Sequence, residues 1–448
     1  MADIHSNSAQ PINPNEKLPH IKAGFVGFQH LLGMYSGDVL IPLLVGAALH
    51  FNAAQMTYLV SVDIFMCGVA TLLQLKRTPL TGIALPVVLG CAVEYVGPLA
   101  AIGTNSQLGI DVMYGSIIGA GIFILLVSGL FARLRWLFPP VVTGSLITLI
   151  GFTLIPVAFQ NLGGGDVAAK SFGSTPNLIT GFSTIALILI FSIWGRGFIQ
   201  QIAILIGIIA GTLIAAAIGI VSLDPVGQAS WFKLPELFYF GTPRFEWSSI
   251  VSMSLAALTT MIESIGVFFA LGEIVGRDIT SNDLKRGFRA EGIAAILGGL
   301  FNTFPYSTFS QNVGIVQLSG IKTKKPVYYS AFFLIILGLL PKIGAVATII
   351  PSAVLGGAMV VMFGTVGIQG IKMLHKVDLD DNRNLLVAAV SIGLGLGVAI
   401  HPTLLQSLPT SVRTILGNGL VVGSLSAVIL NLLFNYRSLI AAKHAEQK

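Results

Sequence analysis

Two polar features lie in stretches of this 448-residue chain that are otherwise as apolar as a membrane interior. The amide pair Gln311-Asn312 follows Pro305 within a few residues and precedes an apolar run marked by glycines. Upstream, Glu263 is surrounded by leucine, methionine, isoleucine and phenylalanine. A carboxylate and two amides are costly to bury at membrane depth, and such residues usually mark a functional site. We therefore interpret them as walls of one site for a polar ligand.

The composition identifies the kind of protein that carries this site. The chain is 54% hydrophobic and only 10% charged, whereas soluble proteins average about 25% charged residues. We predict an integral membrane protein without a cleavable signal peptide, because no apolar stretch lies beside the start. Cys67 and Cys91 fall in apolar segments without metal-ligand spacing. We therefore expect no disulfide framework and no metal site.

The placement of positive charges predicts the topology. Windows long enough to cross the bilayer divide the chain into fourteen predicted spans, and 20 of the 25 lysines and arginines then fall on the side of the N terminus. Positive charge accumulates on cytoplasmic loops, so we expect a plasma-membrane protein with both termini cytoplasmic. The net charge of +6 then reflects topology, and we expect no nucleic-acid partner.

The spans divide into two halves of seven, and an odd number of spans per half requires that the halves be inverted. The predicted organisation is an N-terminal tail (1–23), a first repeat (24–221), an external loop (222–247), a second repeat (248–435) and a C-terminal tail (436–448). The third span of each half is interrupted by a proline, Pro86 or Pro305. Broken backbone at membrane depth must face protein or a wet cavity, and paired interruptions indicate the central site of a transporter.

Enzyme signatures are missing from the sequence. It contains neither His-Glu-x-x-His nor Gly-x-Ser-x-Gly, and the stretch 164–171 resembles a phosphate loop but has Ala169 where glycine is required. We therefore expect neither an enzyme nor an ATP-driven pump. A passive channel stays an alternative, which saturable and uncoupler-sensitive accumulation would exclude.

Three motifs together resemble the nucleobase–ascorbate transporter family, and most of all its bacterial xanthine permeases. They are Gly24–His30, Glu263–Gly266 and Gln311–Gly314, and the resemblance runs from about residue 20 to residue 435. It implies an all-helical polytopic fold with core and gate domains, in which short antiparallel strands of the third and tenth spans meet at the substrate. It also implies a homodimer without cofactors that imports xanthine or a closely related oxidised purine with protons.

The same resemblance implies roles for individual residues. Glu263 and Gln311 are expected to hold the base, with Phe309 and Ser310 beside it and Asn312 and His30 supporting the site. The chemistry agrees with these roles, because a purine dione offers N–H donors beside carbonyl acceptors. A carboxylate accepts hydrogen bonds, and an amide both donates and accepts them. Burial should raise the affinity of the Glu263 carboxylate for a proton, so Glu263 could exchange a proton as the site alternates between the two faces of the membrane.

The sequence departs from the family pattern at three places. Ala92-Val93 stands where relatives often have a small polar residue and an aromatic one, which leaves Phe309 as the stacking candidate. Val267 replaces a polar residue one turn after Glu263, and Glu94 and Asp38 are additional carboxylates that could take over proton coupling. The residues alone favour a structural or interfacial role for Asp38, Asp63 and Glu94.

Besides a passive channel, two alternatives for the function stay open at this point. The substrate could be uric acid or uracil, carried by a permease of the same family. A sulfate- or bicarbonate-type anion carrier shares the inverted seven-span plan, although a carboxylate in the site would repel an anion.

Overall fold

The computed structural model describes residues 18–133, 137–409, 412–413 and 416–446. Residues 1–17 of the predicted N-terminal tail and residues 447–448 of the predicted C-terminal tail lie outside this range, as does Arg135. The described chain is predominantly helical and contains one two-stranded sheet. The predicted fold class is thereby confirmed.

The elements follow one another in this order. In the first half the structure has helices α1 (His20–Asp38), α2 (Leu40–Ala48), α3 (Ala53–Leu75), strand β1 (Leu89–Cys91), and helices α4 (Val96–Gly103), α5 (Gly109–Phe131), α6 (Pro140–Thr153), α7 (Ile155–Leu162), α8 (Thr175–Trp194), α9 (Phe198–Gln201) and α10 (Ala203–Ala217). In the second half it has α11 (Asp224–Gln228), α12 (Trp247–Val275), α13 (Ser281–Leu300), strand β2 (Tyr306–Thr308), and α14 (Gln311–Ser319), α15 (Lys325–Gly338), α16 (Pro341–Thr348), α17 (Ser352–Leu374), α18 (Asn382–Ile400) and α19 (Gly419–Glu446).

Nine stretches of helix within the described residues are long and apolar enough to cross a bilayer. A tenth is added if α15 and α16, which meet at an angle of 82°, are counted as one broken span. This chain is a multi-pass membrane protein, and the number fourteen stays a prediction. The third and tenth predicted spans are too short to pass as single helices because each divides into a strand and a short helix.

The helices pack into two groups, each drawn from both halves of the sequence. We call α1, α3, α5, α12, α13 and α15 the core group, because they pack on one another and enclose the strands. The gate group consists of α6, α7, α8, α10, α17, α18 and α19, with α17 lying against α6, α7 and α8. Within these groups the interrupted segments meet at β1 and β2 and the fifth predicted spans of the two halves meet at α6 and α17, as expected for inverted repeats.

A charged cluster on the positively charged side joins the end of α12 to the start of α13. The Arg277 guanidinium lies 2.7 Å from Asp283 Oδ1 and donates to the Ile83 carbonyl oxygen at 2.9 Å. Thr280 and Asp283 form a capping box at the start of α13. Burial by itself would raise the pKa of Asp283, but hydrogen bonds from Thr280 and the charges of Arg277 and Arg77 outweigh burial and hold that pKa below its ordinary value.

We expect Asp283→Asn to destabilise the protein at neutral pH by about 1–2 kcal/mol, because the hydrogen bonds from Arg277 and Thr280 lose their charged acceptor. A lowered folded-state pKa stabilises the protein above the unfolded-state value of about 3.9, and this contribution disappears as the pH falls through the folded-state value. Thermal unfolding in detergent at a series of pH values measures the effect. The gap between wild type and variant should narrow in acid; a gap independent of pH would contradict the ionic part of this account.

Candidate functional site

The two interrupted segments meet as an antiparallel strand pair in the middle of the core group. Leu89 pairs with Thr308, Gly90 with Ser307 and Cys91 with Tyr306, and all six residues are buried. Two further backbone bonds extend the pair, from the Phe309 N–H to the Val88 oxygen (3.0 Å) and from the Ala92 N–H to the Pro305 oxygen (3.1 Å). The predicted strands in the third and tenth segments are confirmed.

Each strand leads into a short helix. A 3₁₀ turn (Val93–Tyr95) and α4 follow β1, while α14 begins at Gln311 just after β2. The first turn of a helix carries unpaired backbone N–H groups and a partial positive charge. The two broken segments therefore bring two helix N-termini to the same strand pair.

A cavity of about 200 Å³ lies between this strand pair and the gate group. Five of the predicted site residues line it: Glu263, Gln311, Phe309, Ser310 and Val93. Gln311 is exposed in the cavity, Glu263 and Val93 are partly buried, and the Phe309 ring is buried at the wall. The structure thus brings together side chains that are up to 218 positions apart in the sequence.

Ala92, His30 and Asn312 lie behind the wall. Ala92 is buried, with its backbone held by Pro305. The Asn312 side-chain nitrogen lies 3.0 Å from the His30 carbonyl oxygen and 3.0 Å from His30 Nδ1, so the two residues fasten α14 to α1. This geometry agrees with a supporting position for His30 and Asn312, whereas Ala92 does not line the cavity.

Glu263 belongs to a group of three carboxyls at this site. The Glu94 carboxyl lies within hydrogen-bonding distance of Glu263, and Glu291 is close to both. The Ser264 hydroxyl donates to Glu291 Oε1 at 2.7 Å, and the Thr308 hydroxyl donates to Ser264 at 3.1 Å. Among the described residues no lysine, arginine or histidine pairs with these acids, so a hydrogen bond between two of the carboxyls requires a proton.

Sequence reasoning missed several groups in the cavity wall or directly behind it. Glu291 carries a signal that could have identified it, because it is an acidic residue in the apolar run of α13. Thr365 and Gln369 line the cavity from α17. Nothing in the sequence of that apolar helix indicates which of its faces meets the core group.

A larger cavity, of about 330 Å³, lies at the N-terminal end of α3 and is bordered by residues from the segment 225–239. It is remote from the strand pair and contains none of the three carboxyls. Its lysine, Lys233, is paired with Glu236 at 3.0 Å and lies over the Tyr58 and Tyr239 rings. We therefore assign the polar-ligand site to the smaller cavity.

Comparison with known proteins agrees with this architecture. Residues 21–404 match the model of a family described as "Permease family". The uric acid permease PucK of Bacillus subtilis is 51% identical over 91% of this chain and 94% of its own length. The xanthine permease of the same organism is 49% identical over 94% of this chain and 95% of its own length.

A solved structure shows the same fold at low sequence identity. The transmembrane domain of the cyanobacterial bicarbonate transporter BicA superposes with a TM-score of 0.62 at 16% identity, covering 85% of this chain and 97% of that domain. At this identity the likeness concerns the fold alone. The family match and the two permeases carry the assignment: this chain belongs to the Permease family of nucleobase–ascorbate transporters and is not an enzyme.

Proposed function

We propose that this protein is a secondary active transporter that imports xanthine, or a closely related oxidised purine, together with protons by alternating access. One observation carries the proposal: Glu263 and Gln311 line a single small cavity beside the strand pair. The relatives, which are named as uric acid and xanthine permeases and a nucleobase transporter, support the same ligand class.

The cavity offers complementary chemistry to a planar purine dione. Glu263 accepts from ring N–H groups, and the Gln311 amide donates to a carbonyl while accepting from a neighbouring N–H. The Phe309 ring supplies an apolar wall. A charge-assisted hydrogen bond is the stronger kind, and a base without the matching donor would leave Glu263 unpaired.

We infer proton symport from the same carboxyl group. Glu263 accepts hydrogen bonds from the N–H donors of a neutral base most strongly when it is ionised, so we expect the proton shared with Glu94 to move when the base binds. Glu94 and Glu291 also have buried oxygens without a hydrogen-bond donor among the described residues. We expect this group to take up and release a proton in each transport cycle without a cofactor.

The direction in which the cavity opens supports alternating access. The residues of α12 and α17 that line the cavity lie in the middle of each helix and in the half that ends on the positively charged side of the protein. On the other side, Val93 packs on Leu149, Ile150 and Leu420 of the gate group, and Thr259 lies 3.3 Å from Ser424. With both termini cytoplasmic, as we propose from the charge distribution, this is an inward-open arrangement.

The anion-carrier alternative finds support only in the fold. BicA shares the architecture at 16% identity, but the ionised Glu263 carboxyl in the cavity wall would repel an anion. We further propose location in the plasma membrane and a homodimeric assembly, the latter by family resemblance alone.

Competition measurements test the proposed substrate. We expect uptake of labelled xanthine by cells expressing the protein to be inhibited by unlabelled xanthine and, next, by uric acid, because both offer adjacent N–H and carbonyl groups. Uracil should compete at least about tenfold less well, since the loss of one ring removes apolar contact worth about 1–3 kcal/mol. Stronger inhibition by uracil or by sulfate than by either purine would contradict the proposal.

A further inference from the structure

Behind the strand pair lies a second acidic cluster that the mechanism above does not use. We propose that Asp38 and Asp63 hold one shared, exchangeable proton and so form a second proton-binding site of the transporter. This inference rests on the proposed function for its role in transport, but the bound proton itself can be tested independently.

Both carboxyls are fully buried in the core group, Asp38 at the end of α1 and Asp63 in the middle of α3. They lie within hydrogen-bonding distance of each other. One ligand atom from each, together with the Cys67 sulfur, fits within 4.8 Å. The pair is thus a single cluster although its members are 25 positions apart.

Three of the four carboxyl oxygens already have hydrogen-bond donors. Asp38 Oδ1 accepts from the Cys91 backbone N–H at 2.6 Å, and the Cys67 sulfur lies 3.5 Å from both Asp38 oxygens. Asp63 Oδ1 accepts from the Tyr306 hydroxyl at 3.0 Å and from the Cys91 thiol at 2.8 Å. The fourth oxygen, Asp63 Oδ2, is buried without a donor in the described part of the chain.

A proton supplies what this arrangement lacks. The ionisable groups facing the pair are Tyr35 from α1, Cys67 from α3, Cys91 from β1 and Tyr306 from β2, none of which carries a positive charge. No lysine, arginine or histidine bonds to either carboxyl in the described residues. Two adjacent buried carboxylates cannot both stay ionised without a cation. A single proton between them completes the donor set without displacing the thiol and hydroxyl donors.

The strand pair β1–β2 lies between the ligand cavity and the two aspartates. Cys91 lines the cavity and also bonds to both aspartates, and its strand partner Tyr306 bonds to Asp63. The Phe309 ring and Asp38 Oδ1 each lie 2.7 Å from the position that a Cβ would take at Gly90, so both groups border the same point of β1. Release of the shared proton would therefore alter the bonds that hold both strands, and movement of Phe309 would open the route between cavity water and the pair.

Accumulation driven by a known pH gradient measures the number of coupled protons. In proteoliposomes with a gradient of about one pH unit and the membrane potential clamped at zero, each coupled proton supports about tenfold accumulation of a neutral substrate. We expect about 100-fold accumulation of labelled xanthine for wild type and about tenfold for Asp63→Asn. Asp38→Asn should behave in the same way, and Asp278→Asn, at an exposed position between α12 and α13, is the matched control.

Equal accumulation by wild type and a folded Asp63→Asn or Asp38→Asn variant would overturn the inference. Exchange of labelled for unlabelled xanthine at equal pH verifies that each variant is folded. Infrared spectroscopy of the purified Glu263→Gln protein, in which both aspartates are intact, covers the case in which neither aspartate variant folds. A protonated carboxylic-acid band should persist near neutral pH in Glu263→Gln, and its absence would also overturn the inference. Failure of wild type to transport any purine would instead refute the proposed function.

Discussion

We expect Glu263→Gln to lower the initial rate of labelled xanthine uptake by about 100-fold or more, equivalent to roughly 2.7 kcal/mol. The substitution keeps the size of the side chain but replaces a charged acceptor by an amide. A hydrogen bond to a charged group contributes about 1.5–3 kcal/mol. The amide NH₂ would in addition face the N–H donors of the base, and the proton shared with Glu94 would lose its partner.

Glu273→Gln is the matched control for this variant. It makes the same chemical change two to three turns further along α12, at an exposed position away from the cavity. We expect its uptake to equal that of wild type. Near-normal xanthine transport by a well-expressed Glu263→Gln variant would show that the proposed role of Glu263 is wrong.

The second large effect is expected at the strand pair itself. Gly90 approaches its neighbours so closely that an added Cβ would lie 2.7 Å from Asp38 Oδ1 and 2.7 Å from the Phe309 ring. Overpacking of a tight core costs about 1–3 kcal/mol. We expect Gly90→Ala to lower the thermal unfolding temperature in detergent and to reduce uptake at least about tenfold, because Phe309 and Asp38 have to move.

Gly393→Ala in α18 controls for the general cost of replacing a glycine in a helix or strand. A Cβ at that position would meet nothing within 4 Å, so stability and uptake should stay at wild-type levels. If Gly90→Ala were as active and as stable as Gly393→Ala, the close packing of Phe309 and Asp38 against β1 would not be required for transport or for stability.

Much of the central architecture could be predicted from residue types alone. A proline beside glycines and polar residues cannot continue a membrane helix without exposing backbone groups. Pro86 and Pro305 therefore indicated the two interruptions, and the structure confirms strands at both. Glu263 and Gln311 could be identified because few polar side chains occur at that depth.

Other features depend on tertiary contacts that no local pattern encodes. Ala92 and Val93 are adjacent, yet only Val93 lines the cavity, because the chain turns into a 3₁₀ helix directly after β1. Asp38 and Asp63 each suggest a structural residue when considered alone. Only the packing of α1 against α3 and β1 makes them a pair. For the same reason, Thr365 and Gln369 could not be assigned to the cavity.

The central claim is proton-driven purine import, and one measurement tests it most directly. Purified protein in liposomes is given an inward-directed proton gradient, and the internal concentration of labelled xanthine is followed over time. The account predicts saturable accumulation above the external concentration that a protonophore abolishes. Uptake that stops at equal concentrations and is insensitive to the protonophore would contradict it.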